Sequence, residues 1–483
     1  MTAATEIQPE WRFLRALIVA AGTGASILFV VVGVPSRLQM FGDGSIFSYA
    51  VAAQSAWSFH WHNISGRLFT YVFAYIPAEA FVALTQNARG GILVYGLLFF
   101  SAPLLGLLAT LASDRTRGRV IFVYACLSTI CLCPLVYGAP TEMWMAHSVF
   151  WPALAVAVSA PTSLRGAAVV FVGLLALAFT HEGAIVLSAA ILFVLFLRGL
   201  RDAIFVRAAG AFSIVMIIWF IVKMTERPDK YIAGVLDTAA YKFIDIDNLA
   251  QPAVLSLLAA LTGFTIMLVV LRRISAPRPV AWAAMICAGA LVVYWVWFDR
   301  SILADARYDL RTALLIGTPV FGILAAVQAM DNESRQKSVF SALSQWVNKI
   351  ETGTNPRIIA AALLLTMLVY AVETTKFVEG WAGYETALRA LATGVESDPA
   401  LGDPHFVSAK RIGRGLNRLA WDSTTPFLSV LVAPGLKPTR LVIDPEANYF
   451  WLSCQTATAS EQTSTAIPAA ARHLIRVDSC LHR

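Results

Sequence analysis

Four short stretches of this 483-residue chain carry side chains able to do chemistry. "QMFGDGSIFSY" (39–49) sets Asp43 between two glycines, and "GAPTEMWMAH" (138–147) holds Glu142. "FTHEG" (179–183) holds His181 beside Glu182, and "FDRSILADARYDLR" (298–311) holds Arg300, Arg307 and Arg311. Carboxylates and imidazoles accept and return protons, and guanidiniums bind phosphate through charge-assisted hydrogen bonds. The set therefore suits proton transfer beside an anion-binding group. Each member also has a plainer use. Asp43 or Ser45 can cap the helix expected to begin near Ile46. Glu142, after Pro140, can be a solvated turn residue. His181 and Glu182 can serve a structural hydrogen bond, and the arginine cluster can be an ion-paired loop. His60 and His62 in "HWH" are weak metal-ligand candidates, read first as belt residues beside interfacial tryptophans.

Composition decides what positions these groups. Hydrophobic residues make up 58% of the chain and charged residues only 14%, with mean hydropathy +0.67, which excludes an ordinary soluble enzyme. Long apolar runs such as "ILVYGLLFFSAPLLGLLATLA" are the ~20-residue length of membrane-spanning helices, and they lack the alternation of barrel strands. The first run, Phe13 to Val34, is too long for a signal h-region and is read as an uncleaved anchor. The expected fold is an all-α polytopic membrane protein of about 11 spans, followed by a small α/β domain.

Basic loops orient such a chain. "SDRTRGR" (113–119), "LRGLRDAIFVR" (197–207) and "RRISAPRP" (272–279) should face the cytoplasm, as should the N-terminus. This places 35–90 outside as a long loop with two interfacial helices, 45–58 and 67–84, because Pro77 and Glu79 argue against a crossing by the second. Spans are then expected at 13–34, 91–112, 119–138, 144–160, 166–180, 183–199, 208–223, 252–271, 279–298, 310–329 and 358–376. A cytoplasmic amphipathic helix is expected within 331–357. With these spans, Asp43, Glu142, His181–Glu182 and the arginine cluster all reach the outer face. Ionisable groups at membrane depth are costly unless they serve a cavity, so their gathering on one side points to an outer active site.

The chain divides at 376. Residues 1–376 are the transmembrane domain, and 377–483 are a soluble domain with helix-like stretches (380–393, 405–420) and strand-like runs "FLSVLVAP", "RLVIDP", "NYFWLSC" and "LIRVDSC". Cys454 and Cys480 each close such a run, which makes a disulfide plausible in an oxidising compartment, with two free thiols as the alternative. Trp421, Tyr449, Phe450 and Trp451 are core aromatics or stacking surfaces.

This layout resembles the GT-C superfamily of integral-membrane glycosyltransferases. "FGDGSIFSYAVAAQSAW" through "SGRLFTYVFAYIPAEAF" looks like that family's first outer loop, and "LAFTHEGA" resembles a His-Glu element of bacterial members. The resemblance implies an inverting transfer from a polyprenyl-phosphate-linked sugar to a glycan, lipid or protein acceptor at the periplasmic face of a bacterial inner membrane. It gives Asp43 the part of general base and Glu142 that of an auxiliary acid group. His181 and Glu182 would border the donor phosphate, which Arg307 and Arg311 would hold, with Arg300 nearby. Many members carry two adjacent acidic residues where Asp43 stands alone. No cofactor is required, and a divalent metal is allowed without being indicated. Other outer-face transferases, of acyltransferase or O-antigen polymerase or ligase type, or a transporter, could use the same residues on another fold. The net charge of +7 sits largely on cytoplasmic loops, where anionic membrane lipid is the partner, so nucleic acid is not expected.

Overall fold

The computed structural model describes residues 9–57, 64–133, 142–159, 163–199, 202–225, 252–297, 307–329, 355–395, 398–401, 405–417, 419–444, 447, 449 and 481. Of these residues 82% are helical and 2% lie in strands. Helix α1 (Pro9–Leu28) runs into a π turn, Phe29–Gly33. Next come α2 (Asp43–Ala52), α3 (Ile64–Thr70), a second π turn (Tyr71–Tyr75) and α4 (Ile76–Thr85). The apolar helices follow: α5 (Ala88–Ser113), α6 (Val120–Leu132), α7 (Glu142–Ser159), α8 (Leu164–Ala178), α9 (Ala184–Arg198), α10 (Ala203–Thr225), α11 (Pro252–Arg273), α12 (Pro279–Trp297) and α13 (Arg307–Ala329). The 38-residue α14 (Pro356–Thr393) leads into the tail.

This is a multi-pass membrane protein by the character of its helices. Among the described residues, five helical segments are long and apolar enough to cross a bilayer: Pro9–Gly33, Arg67–Thr85, Ala88–Ser113, Ala203–Val222 and Pro356–Thr393. Shorter apolar helices accompany them. Arg67–Thr85 passes that test on length and composition, despite Pro77 and Glu79. At ~1.5 Å per residue α14 is about 57 Å long, nearly twice the ~30 Å hydrocarbon thickness. Its polar half beyond Lys376 therefore lies outside the apolar stretch.

The chain forms two compact units. Unit 1 comprises Met1–Ile27, Pro103–Tyr137 and Met143–Glu373. Here α13 packs on α6 and α9, and α8 packs on α9 and α10. Lipid offers no hydrophobic drive for helix association, so close contact relies on small residues. Gly106 is one: a Cβ there would meet the Ser148 backbone at 2.6 Å.

Unit 2 comprises Leu28–Ala102, Gly138–Glu142 and Thr374–Arg483. At its centre is α2, with every residue from Gly44 to Ala52 buried. With all of these residues buried, α2 is a core helix of unit 2. Tyr49 packs on Phe427 at 5.2 Å between ring centroids. Phe41 meets Phe377 and Trp381 edge-on at 4.9 and 5.3 Å, and the Trp381 indole N–H donates to the Ser36 carbonyl at 3.0 Å.

The tail departs from the expected pattern in two places. "FLSVLVAP", read as a strand, is helix α16 (Thr425–Val432), and 405–420, read as a helix, opens with strand β1 (Phe406–Ser408) and continues through short turns and α15 (Arg414–Asn417). Pro426 in the first turn pre-sets helical φ for α16. Its last carbonyls are taken by Arg389 Nε on Val432 O and Arg89 Nη2 on Ala433 O, both 2.9 Å, which satisfies the free acceptors of the helix end. "RLVIDP" contains strand β2 (Leu441–Ile443), paired in parallel with β1, Phe406 opposite Leu441.

Candidate functional site

In unit 2 the loop before α2 sets the carboxylate of Asp43. The chain turns at Gly42 with φ 59° and ψ −133°, a conformation open to glycine and costly for other residues. A Cβ there would also press on the Trp421 ring at 3.1 Å. The Gly42 carbonyl accepts from the Ser45 hydroxyl at 2.8 Å and the Thr424 hydroxyl at 3.2 Å. Gly42 is itself the N-cap, with no side-chain cap bond. Neither Asp43 nor Ser45 occupies the N-cap position, which is Gly42. Asp43 instead occupies the first turn, half-buried, where the helix dipole favours negative charge.

Glu142 is not a solvated turn residue. It opens α7 with its side chain 3% exposed and pairs with Arg67, Nη1 to Oε1 at 2.8 Å. Arg67 reaches it from a kink in α3 with φ −134° and ψ 20°. Beside this pair Tyr75 stacks on Tyr95 at 5.2 Å and 17° between planes. The Tyr75 hydroxyl lies within electrostatic reach of Glu142 and Arg67, and that of Tyr95 within reach of Glu142 and Asp43. Unit 2 thus gathers Asp43, Arg67, Tyr75, Tyr95 and Glu142, which are distant in sequence. A deprotonated Asp43 can accept a proton, Arg67 fixes the Glu142 charge, and the phenols can donate to a bound oxygen.

Glu79 has a structural use. It accepts the Ala56 N–H at 2.8 Å and the Tyr71 hydroxyl at 3.3 Å, tying α4 to the end of the α2 segment. On the tail side Asp422, next to Trp421, has its carboxyl raised by burial and by the nearby Asp444 charge.

In unit 1 the His181–Glu182 turn joins α8 to α9. The Gly183 N–H donates to His181 Nδ1 at 3.0 Å, so in the neutral ring the proton sits on Nε2. Glu182 Oε2 stands 3.9 Å from that same Nδ1. A Cβ on Gly183 would meet Leu315 of α13 at 3.0 Å. Arg307 and Arg311 lie in the first two turns of α13, Arg311 one turn before Leu315. Arg300, His60, His62, Cys454, Cys480 and most of 331–357 lie outside the described residues. Among the described residues no group of three or more His, Cys, Asp or Glu could hold a metal ion.

Four residues escape the sequence reading: Arg67, Tyr75, Tyr95 and His147. Arg67 had a usable signal, a lone cation within an otherwise apolar run. Tyr95 had none, since one tyrosine in an apolar helix is unremarkable. His147, also not singled out, is buried in unit 1, its Nε2 taking the Trp151 indole N–H at 3.2 Å with the Ser128 hydroxyl at 2.9 Å. No protein-family model, curated protein or solved structure matches the chain.

Proposed function

We propose that this chain is a membrane transferase that moves a sugar from a polyprenyl-phosphate-linked donor to an acceptor hydroxyl at the periplasmic face, with inversion. The acceptor oxygen forms its bond to the anomeric carbon as the carbon–phosphate-oxygen bond breaks. The hydroxyl proton passes to Asp43, and the lipid phosphate leaves with the bonding pair. The observation that carries this proposal is the placement of Asp43: a half-buried carboxylate on a rigid first turn, clustered with the Arg67–Glu142 pair and two phenols. A positioned base of this kind contributes ~10²- to 10⁴-fold, and one is enough for a single displacement. Glu142, neutralised by Arg67, then orients the acceptor through the shape of the cluster and does not compete for its proton. Fixed charges and dipoles are the means of stabilising the leaving anion.

The test is purified protein in lipid nanodiscs, given radiolabelled polyprenyl-phosphate sugars and scored for release of lipid phosphate. Turnover by wild type and a loss of at least ~10²-fold in folded Asp43→Asn is the expected result. Equal turnover in the two proteins would remove Asp43 from the mechanism.

A further inference from the structure

In unit 1 the close packing of α1 on α6 lays an arginine over a glycine turn. A Cβ on Gly22 would meet the Cys126 backbone at 2.7 Å, so the missing side chain is what lets α1 approach α6. Two turns back along α1, Arg15 rests on the turn between α5 and α6, where a Cβ on Gly118 would stand 2.9 Å from its Nη1. Gly118 has φ 76°, a left-handed conformation that glycine adopts without strain. The same turn presents Arg115 and Arg117 to solvent, and Arg12 lies exposed one helical turn before Arg15.

Guanidiniums gathered at one turn repel, yet among the described residues none of Arg12, Arg15, Arg115 and Arg117 has a carboxylate partner. The acids closest in sequence are committed elsewhere. Asp114 is buried, and it accepts the Thr116 N–H and hydroxyl at 2.8 and 2.6 Å on one oxygen and the Phe122 N–H at 2.9 Å on the other. Glu10 pairs with Arg357 at 2.8 Å. Arg119 serves the fold, its Nη1 donating to the Leu111 and Asp114 carbonyls at the end of α5. The turn is thus fixed by its own bonds, with its acid facing inward and its positive charge left for an anion from outside.

The turn closes α5, and Arg12 and Arg15 stand in the first two turns of α1. Both helices belong to segments long and apolar enough to cross a bilayer, so these arginines lie at the level of lipid headgroups. Phe13, Leu105 and Leu108 are exposed on the same two helices and offer apolar surface to acyl chains. The length of α6, ~20 Å, separates this turn from the His181–Glu182 turn. Leu132, at the far end of α6, lies against Gly317, two residues along α13 from the Leu315 that meets Gly183. We propose that the α5–α6 turn and the start of α1 form a binding site for the phosphate of an anionic phospholipid headgroup, held by Arg15 and Arg117 with Arg12 and Arg115 beside them. Guanidinium forks match phosphate oxygens, and basic side chains at a membrane surface draw anionic lipid. This goes beyond the transfer proposal and does not depend on it.

The test titrates the full chain in neutral-detergent micelles with radiolabelled phosphatidylglycerol, and with phosphatidylcholine for comparison. Wild type should bind phosphatidylglycerol at least ~tenfold more tightly. Arg15→Gln with Arg117→Gln should lose that preference and, without lipid, unfold at the wild-type temperature, since neither side chain has a partner to lose. Arg272→Gln with Arg273→Gln removes the same charge from the end of α11 and should keep the preference within about twofold. Gly118→Asn keeps every charge, tolerates the left-handed φ and pushes the Arg15 guanidinium aside, so it should weaken phosphatidylglycerol binding severalfold. The inference falls if wild type shows no preference, or if the Arg15 and Arg117 substitutions leave binding unchanged. An equal loss in the α11 variant would overturn it too, because charge alone would then hold the lipid. So would a lowered unfolding temperature of the lipid-free Arg15 and Arg117 variant, which would give the guanidiniums to the fold. Inorganic phosphate binding wild type as tightly as phosphatidylglycerol would make this a site for the free ion and end the lipid assignment. None of these readings uses a sugar donor, so failure of the transfer proposal and failure of this one are told apart.

Discussion

Glu142 and Glu182 are both glutamates beside the start of a helix, yet water and charge treat them differently. The Glu142 side chain is 3% exposed and touches a guanidinium at 2.8 Å, whereas that of Glu182 is 31% exposed, 3.9 Å from an imidazole nitrogen already engaged by Gly183. A carboxylate withdrawn from water must have a partner of opposite charge, and Arg67 supplies it from a kink in α3. A carboxylate still touching water does not depend on one in the same way, and Glu182 keeps its solvent contact. The comparison separates charge that shapes a site from charge that can act within one.

The sharpest way to break this comparison is to remove Arg67. Arg67→Ala leaves a buried negative charge without its guanidinium, and the expected loss is ~3–5 kcal/mol in denaturant unfolding of unit 2. Replacing both partners with apolar residues, Arg67→Met with Glu142→Leu, should recover most of it, because no charge then remains to be buried. Glu182→Gln in the other unit should stay within ~0.5 kcal/mol of wild type. A loss below ~1 kcal/mol for Arg67→Ala would put Glu142 in the same class as Glu182, a hydrated charge with a dispensable partner.

A third glutamate sharpens the comparison within unit 2. Glu385, on the part of α14 beyond the apolar stretch, is buried and one of its carboxylate oxygens has no hydrogen-bond partner. Burial pushes its carboxyl up to about 7, and the Arg37 and Arg389 charges offset that only in part. Arg389 already gives its Nε–H to Val432. With the folded value above the unfolded one, the folded state holds an extra proton between about 4.5 and 7. Its contribution is therefore complete at low pH, declines as the pH rises through that window and is gone above it. Glu385→Gln should remove this slope and exceed wild type by on the order of 1–3 kcal/mol above neutrality. Parallel unfolding curves for the two proteins between those limits would mean that water or a direct ion pair reaches Glu385 as Arg67 reaches Glu142.

How far these contrasts can be read from sequence follows from the range of the forces involved. Apolar runs are local, and the span expected at 91–112 is observed within Ala88–Ser113, with similar agreement for 252–271 and Pro252–Arg273. The tail helix Thr425–Val432 was hidden because its valines, leucines and phenylalanine suit a strand equally well. Its helical state is set by contacts from elsewhere, Tyr49 on one face and Arg89 and Arg389 at its end. The same holds for the candidate site. His181 and Glu182 stand out because they are neighbours in the chain. The partnership of Glu142 with Arg67, 75 residues away, and the burial of Tyr95 within electrostatic reach of Glu142 and Asp43 depend on tertiary structure that no short window contains.

The smallest expected effect tests the exposed side of the comparison. His181 Nδ1 accepts the Gly183 N–H, so His181→Ala leaves that backbone donor to water or to nothing, at a cost of ~0.5–1.5 kcal/mol in unit 1. His181→Asn places a side-chain oxygen where it can take the same N–H and should restore most of the loss, as such residues do in tight turns. Stability and turnover then come apart. If His181 only orders the turn, the asparagine variant recovers both. If its Nε2–H also meets a bound ligand, the asparagine variant regains the fold while turnover stays low, since the short amide cannot hold the turn and make that contact at once. Recovery of both would reduce the imidazole to a turn-former.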